Sequence, residues 1–93
     1  MRRLKPLVLG VGLVVGVTTG CATQNAMTQA REAFTEARNM GAETKAPFEY
    51  HAAEAYLEFA EHEQGEMDIK TAGAFAEQSA AYSAQAIAKM GGR

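Results

Sequence analysis

Small and apolar residues recur at helical spacing in three stretches of this chain of 93 residues. In the first stretch they alternate in steps of four and three, with Phe34 beside the stripe and Gly41 directly after it. This period is typical of an amphipathic helix, and glycine commonly follows the last helical residue. The pattern predicts a helix over residues 26–40, whose stripe consists of Ala26, Ala30, Ala33, Ala37 and Met40.

Proline and glycine bound the second stretch. Pro47 suits the first position of a helix, because the N–H group that proline lacks would have no helical partner there. Gly65 is a candidate stop, which predicts a helix over residues 47–64. This helix has two apolar stripes, which indicates an element with neighbours on two sides. One stripe is Tyr50, Ala53, Leu57 and Ala60; the other is Phe48, Ala52, Ala55, Phe59 and His62, with Tyr56 between them.

A third helix is predicted over residues 69–90. Asp68 is a candidate N-cap, and Gly91 follows the last apolar residue. The linker of about three residues, from Gly65 to Met67, is short enough to force the second and third helices into an antiparallel hairpin. We therefore expect an all-α fold, a small three-helix bundle built on this hairpin, with the first helix covering the hairpin's open side. The alternative is that a partner covers that side. The stripe of the third helix is Ile69, Gly73, Ala76, Ala80, Ser83, Ile87 and Met90.

The predicted helix contacts are lined mostly by alanine, glycine and serine, so the helices should pack closely and the core should be thin. Few large apolar side chains are available for that core or for contacts with a partner. The aromatic candidates for either role are Tyr50, Tyr56, Phe59, Phe75 and Tyr82.

The first twenty residues have a different character. Arg2, Arg3 and Lys5 precede the apolar run Leu7–Val17, and small or hydroxylated residues lead to Cys21, the single cysteine of the chain. A run of about 11 apolar residues is too short for a permanent span, which takes about 20. A basic start, a short apolar centre and a small residue before a cut are typical of an export signal.

The tetrapeptide ending at Cys21 resembles the lipobox of bacterial lipoproteins, with Thr18 where an aliphatic residue is usual. The resemblance implies a signal peptide over residues 1–20, acyl chains on Cys21 that hold the protein to membrane lipid, and a lipidated tether over residues 21–25. The helical domain is then 26–93. Ala22 implies the outer rather than the inner membrane. The alternatives are a secreted protein with a free Cys21 thiol and a short anchor that is never cut.

The region after Cys21 resembles a family of bacterial lipoproteins built on the domain of unknown function 4398. The residues that carry this resemblance are Ala46 to Tyr50, the acidic hairpin and the alanines after Asp68. The hairpin also resembles a single tetratricopeptide unit. The family implies no catalytic residues.

Charge narrows the range of partners. Loss of the signal leaves six basic against eleven acidic residues, a formal charge of about −5, which argues against binding nucleic acid. Glu54, Glu58 and Glu61 make the second helix acidic. Their stripe could simply aid solubility, or it could dock a basic partner together with Tyr50 and Tyr56.

The sequence offers little for catalysis. His51 and His62 lie about 16 Å apart along a helix, too far to share one metal ion. The serines have no accompanying pattern of histidine and acid. We expect no enzyme, no catalytic residue, no metal site and no cofactor.

These observations predict a periplasm-facing lipoprotein of the bacterial outer membrane that acts as an interaction or structural module, either with an envelope protein or by self-association. An oligomeric envelope spacer is the alternative, although Pro47 and Gly65 interrupt the long rod that it would need. A small-ligand or metal binder is a third possibility, which the thin core disfavours.

Overall fold

The structure is a computed structural model that describes the backbone of residues 4–91 and the side chains of residues 21–91. It contains α1 (Leu4–Asn39), α2 (Ala42–Lys45), α3 (Pro47–Gly65) and α4 (Ile69–Lys89), and no strand among the residues that it describes. The predicted all-α helical bundle is confirmed. The hairpin helices α3 and α4 end within one residue of their predicted ends.

The start of α1 differs from the prediction. The helix does not begin near Ala26 but continues upstream through Cys21, and the segment predicted as a polar tether over residues 21–25 is helical. Thr23 explains this difference, because its side chain is buried and its Oγ1 donates a hydrogen bond to the Ile69 carbonyl oxygen at 3.3 Å. The polar composition of residues 21–25 predicted a tether, but the Thr23 hydroxyl group is hydrogen-bonded to α4.

The connection from α1 to α3 is more ordered than the predicted break over residues 41–46. Gly41 ends α1 with a positive φ of 90°, a conformation that glycine adopts without steric cost. The single turn of α2 follows and buries Ala42, and Ala46 is buried directly before Pro47. Pro47 is the first helical residue of α3, as predicted.

The turn between α3 and α4 has the hydrogen bonds of a Schellman motif. The N–H of Met67 donates to the Gln64 carbonyl oxygen at 3.1 Å, and the N–H of Asp68 donates to that of Glu63 at 2.9 Å. Met67 takes the left-handed position, with a φ of 66°. Gly65, the predicted stop, is instead the last helical residue. Asp68 caps α4 as predicted by accepting from the N–H of Thr71.

The middle element of the bundle is α4. It packs along both α1 and α3, whereas α1 and α3 touch over a shorter stretch. Thr23 meets the start of α4 and Phe34 packs near its end at Ile87, so α1 and α4 run in the same direction and α3 runs against both. The two stripes of α3 predicted that it would have neighbours on two sides. Helix α3 does contact α1 and α2 as well as α4, but the middle of the bundle is α4, because small residues on two of its faces let both neighbours approach it.

The core consists of two clusters joined by Leu57. At the end where α3 begins, Phe34 stacks on Tyr50 with ring centroids 5.0 Å apart. Toward the Cys21 end the core is mostly alanine around the fully buried Met27. Helix α1 thus covers one side of the hairpin, as expected.

Candidate functional site

Cys21 is exposed on α1, two residues before the buried Thr23. Its thiol is accessible, and it lies at the end of the bundle where α4 begins. The side chains of residues 1–20, on which the predicted signal peptide rests, lie outside the described part of the chain. Acylation of Cys21 therefore stays a prediction. Across the described residues, no helix combines the length and the apolar character needed to cross a membrane.

Tyr50 belongs to the core and not to a contact surface. Its side chain is 5% exposed, its ring stacks on Phe34, and the Arg38 guanidinium lies near its hydroxyl group. Burial raises the pKa of the Tyr50 phenol, and the nearby Glu43 and Glu54 carboxylates raise it further. Tyr50, predicted as a possible partner-binding residue, therefore lies in the core and has little accessible surface to offer a partner.

The three acidic candidates lie on one side of α3, close to α1. Glu61 accepts from Arg31 of α1 at 3.3 Å, and a Glu54 oxygen lies 3.3 Å from Nδ1 of His51. Glu58 is exposed. Two of the three carboxylates thus have partners within the chain, and an incoming basic group would have to compete with them. The structure gives more support to the solubility interpretation than to docking at this stripe.

Five aromatic rings form a continuous row along the hairpin, which we call the aromatic face: Phe48, Tyr56, Phe59, Phe75 and Tyr82. Tyr56 is the centre of the row. It stacks on Tyr82 with centroids 5.8 Å apart and planes within 7°, and it contacts Phe59 and Phe75 at 6.0 and 5.9 Å. Phe75 lies 5.5 Å from Phe59, and Tyr82 meets Phe48 edge to face at 6.0 Å.

The two ends of the aromatic face are open to solvent. Phe48 is 67% exposed and Phe59 is 51% exposed, while the three rings between them are partly buried by one another. Tyr56, which the sequence singled out, is partly exposed, and its role in binding a partner stays a prediction. Sequence reasoning placed Phe48 and Phe59 on a second packing stripe, because spacing shows that a stripe exists but not whether another helix covers it.

The remaining chemistry is sparse. In the described part of the chain, no group of three His, Cys, Asp or Glu side chains could hold a metal ion. His51 is engaged with Glu54, and His62 lies three turns further along α3. The expected absence of a metal site and of catalysis stays a prediction.

Comparison with known proteins gives one match. The model of a protein family described as a domain of unknown function, DUF4398, matches residues 25–91, well over half of the chain. No curated protein and no solved structure matches the chain.

Proposed function

The chain belongs to the DUF4398 family, and on that premise we propose that it is a lipoprotein of the bacterial envelope, acylated at Cys21. It faces the periplasm from the outer membrane and binds another envelope protein through its aromatic face. It performs no reaction. The proposal joins an export-type leader, an exposed cysteine at one end of a rigid bundle, and an uncovered row of rings along the hairpin.

The aromatic face is the observation that carries the interaction role. Exposed apolar patches on small proteins commonly mark contact sites, and aromatic residues dominate the binding energy of such contacts. Each ring contributes about 1.5–3 kcal/mol when it passes from full exposure to burial. Phe48 and Phe59 are exposed enough to contribute much of this free energy when a partner binds. The same partner would complete the burial of Tyr56, which lies between them.

Membrane anchoring favours a different protein over a second copy as the partner. Two copies in one leaflet must both point their Cys21 ends at the membrane, so their aromatic faces can meet only with the helices in the same direction. Glu63 and Glu66 continue the stripe of Tyr56 and Phe59 at helical spacing, and they would lie beside the same residues of the second copy. Like charges at a contact disfavour it. A partner with an apolar ridge and a basic group at this end fits better.

The alternative of an oligomeric spacer needs a long continuous rod. The chain instead reverses direction between α1 and α3 and again between α3 and α4. These two reversals support the interaction module over the spacer.

Intact-mass analysis of the protein purified from bacterial membranes tests the anchor. We expect a chain that begins at Cys21 and carries the added mass of its acyl chains. A Cys21→Ser variant should lose both the added mass and the membrane association. A wild-type chain that keeps residues 1–20, or that has a free thiol, would contradict the proposal.

Photocrosslinking in cells tests the aromatic face. A photoreactive amino acid would replace Phe48 or Phe59, and a matched control would replace Thr35, which is exposed on α1. We expect both aromatic positions to give the same discrete heterologous adduct and the control position not to give it. Adducts of two copies of this chain would favour self-association, and identical adducts from all three positions would contradict a specific face.

A further inference from the structure

The turn between α3 and α4, residues 66–68, extends past Cys21 at the anchored end of the bundle. Thr23 on α1 lies directly against Gly73 on α4, where an added methyl group would be 2.9 Å from Thr23 Oγ1. Both helices run in the same direction and rise about 1.5 Å per residue. Measured along the helix axes from this common level toward the N-terminal ends, Cys21 lies about 3 Å away and Ile69 about 6 Å away. The turn precedes Ile69, so it lies further out than Cys21.

Met67 stands at the tip of this turn in an unusual state. Its side chain is 80% exposed, and its φ of 66° places a residue with a Cβ where glycine is usual. Exposure of a large apolar side chain to water is unfavourable. A left-handed backbone conformation is also unfavourable for a residue that has a Cβ. Backbone outliers that persist in this way are a reason to look for a function.

We propose that Met67 enters the interface of the lipid bilayer in which the acyl chains of Cys21 are embedded, and so forms a second membrane contact beside the anchor. This inference rests on the acylation proposed above. The two contacts belong to one rigid unit, because α1 is helical from Cys21 onward and Thr23 bonds α1 to the first residue of α4. Together they would fix the tilt of the bundle and hold the aromatic face at a set angle to the membrane.

The charges around the turn determine which lipid headgroups it can contact favourably. Glu66 and Asp68 flank Met67, and both are exposed. Carboxylates at this level are repelled by anionic headgroups, so the contact suits a zwitterionic surface. Lys70, the second residue of α4, is exposed at about the level of Cys21, where it can pair with headgroup phosphates.

A thiol probe can test this contact in the acylated full-length protein. The thioether at Cys21 leaves no native free thiol, so Met67→Cys can carry a single environment-sensitive fluorophore. Lys45→Cys is the matched control, because it is exposed at the far end of the bundle. Both labelled proteins would be reconstituted in vesicles of phosphatidylcholine and phosphatidylethanolamine that contain lipids brominated on their acyl chains.

We expect the emission at position 67 to shift to shorter wavelength and to be quenched by the brominated lipids, and the emission at position 45 to stay at its value in water. If both proteins float with the vesicles but the probe at position 67 remains aqueous, the membrane contact is wrong and the anchor stands. If the intact mass shows no acyl chains and the protein does not float, the anchor and this contact are both overturned.

Discussion

Thr23 on α1 lies directly against Gly73 on α4. A methyl group at Gly73 would approach Thr23 Oγ1 to 2.9 Å, and the same oxygen is held by its hydrogen bond to the Ile69 carbonyl. The contact fixes the register of α1 against α4 and, with it, the position of Cys21 at the end of the bundle.

Gly73→Ala should destabilise the protein by about 1 kcal/mol. Alanine improves helix propensity by about 1 kcal/mol, but overpacking at a tight contact costs about 1–3 kcal/mol. Thr23 cannot move aside without losing its bond to Ile69. The measurement is urea unfolding followed by circular dichroism.

Two controls separate packing from propensity. In a Thr23→Ala background the obstacle is gone, so the same Gly73→Ala change should become stabilising by up to about 1 kcal/mol, a reversal of sign that a double-mutant cycle detects. Gly65→Ala should also stabilise, because nothing lies within 4 Å of a Cβ at that helical position. A destabilisation by Gly73→Ala that persists without Thr23 would contradict the packing account.

Ser79 and Ser83 are a natural matched pair on α4. Both are fully buried, but Ser79 Oγ donates to the Ala53 carbonyl of α3 at 2.7 Å, whereas Ser83 Oγ has no hydrogen-bond partner in the described part of the chain. Ser79→Ala should therefore cost about 1 kcal/mol. Ser83→Ala should be neutral or stabilising by up to about 1 kcal/mol, since it removes an unsatisfied group. Equal unfolding free energies for the two variants would contradict this difference.

The helices were predictable because their signals are local. Pro47 marks a helix start because it has no backbone N–H to donate, and Asp68 marks one because its carboxylate accepts a backbone N–H. Both starts are confirmed. The stripe of α4 contains Gly73, Ala76, Ser83 and Ile87, all of which are buried. Membership in the DUF4398 family, inferred from the entry to α3 and the acidic hairpin, is also confirmed.

The arrangement of the helices was less predictable, because it depends on which stripe meets which neighbour. The two stripes of α3 look equivalent in sequence, yet one lies in the core through Tyr50 and the other contributes the exposed Phe48 and Phe59 to the aromatic face. Likewise, Thr23 looks like a tether residue until Gly73 provides the space and Ile69 the acceptor. Small residues show that another helix can approach closely, but they do not show which helix it is.

Met67→Gly should stabilise the protein by about 0.5–1 kcal/mol. Glycine adopts a positive φ at no steric cost and is the usual residue at this position of a Schellman motif. Met67→Ala is the control, because it removes the exposed side chain but keeps the Cβ that causes the strain. It should leave the unfolding free energy nearly unchanged, and a gain as large as that of Met67→Gly would place the cost in the exposed side chain instead. Urea unfolding of the three proteins decides between these accounts.

Tyr50 makes stability depend on pH in the alkaline range. Its pKa is raised in the folded protein by burial and by Glu43 and Glu54, from an ordinary value of 10.0. Above about pH 10 the unfolded chain releases the Tyr50 proton more readily than the folded chain does, so the free energy of unfolding should fall as pH rises. Below that pH, the contribution of Tyr50 to the free energy of unfolding is fully present. Tyr50→Phe keeps the ring on Phe34 but removes the titration. Thermal unfolding from pH 8 to 11 should therefore show a steeper loss for wild type than for the variant, which differs from it only at this residue. Parallel curves would mean that burial does not hold the Tyr50 phenol in its neutral form.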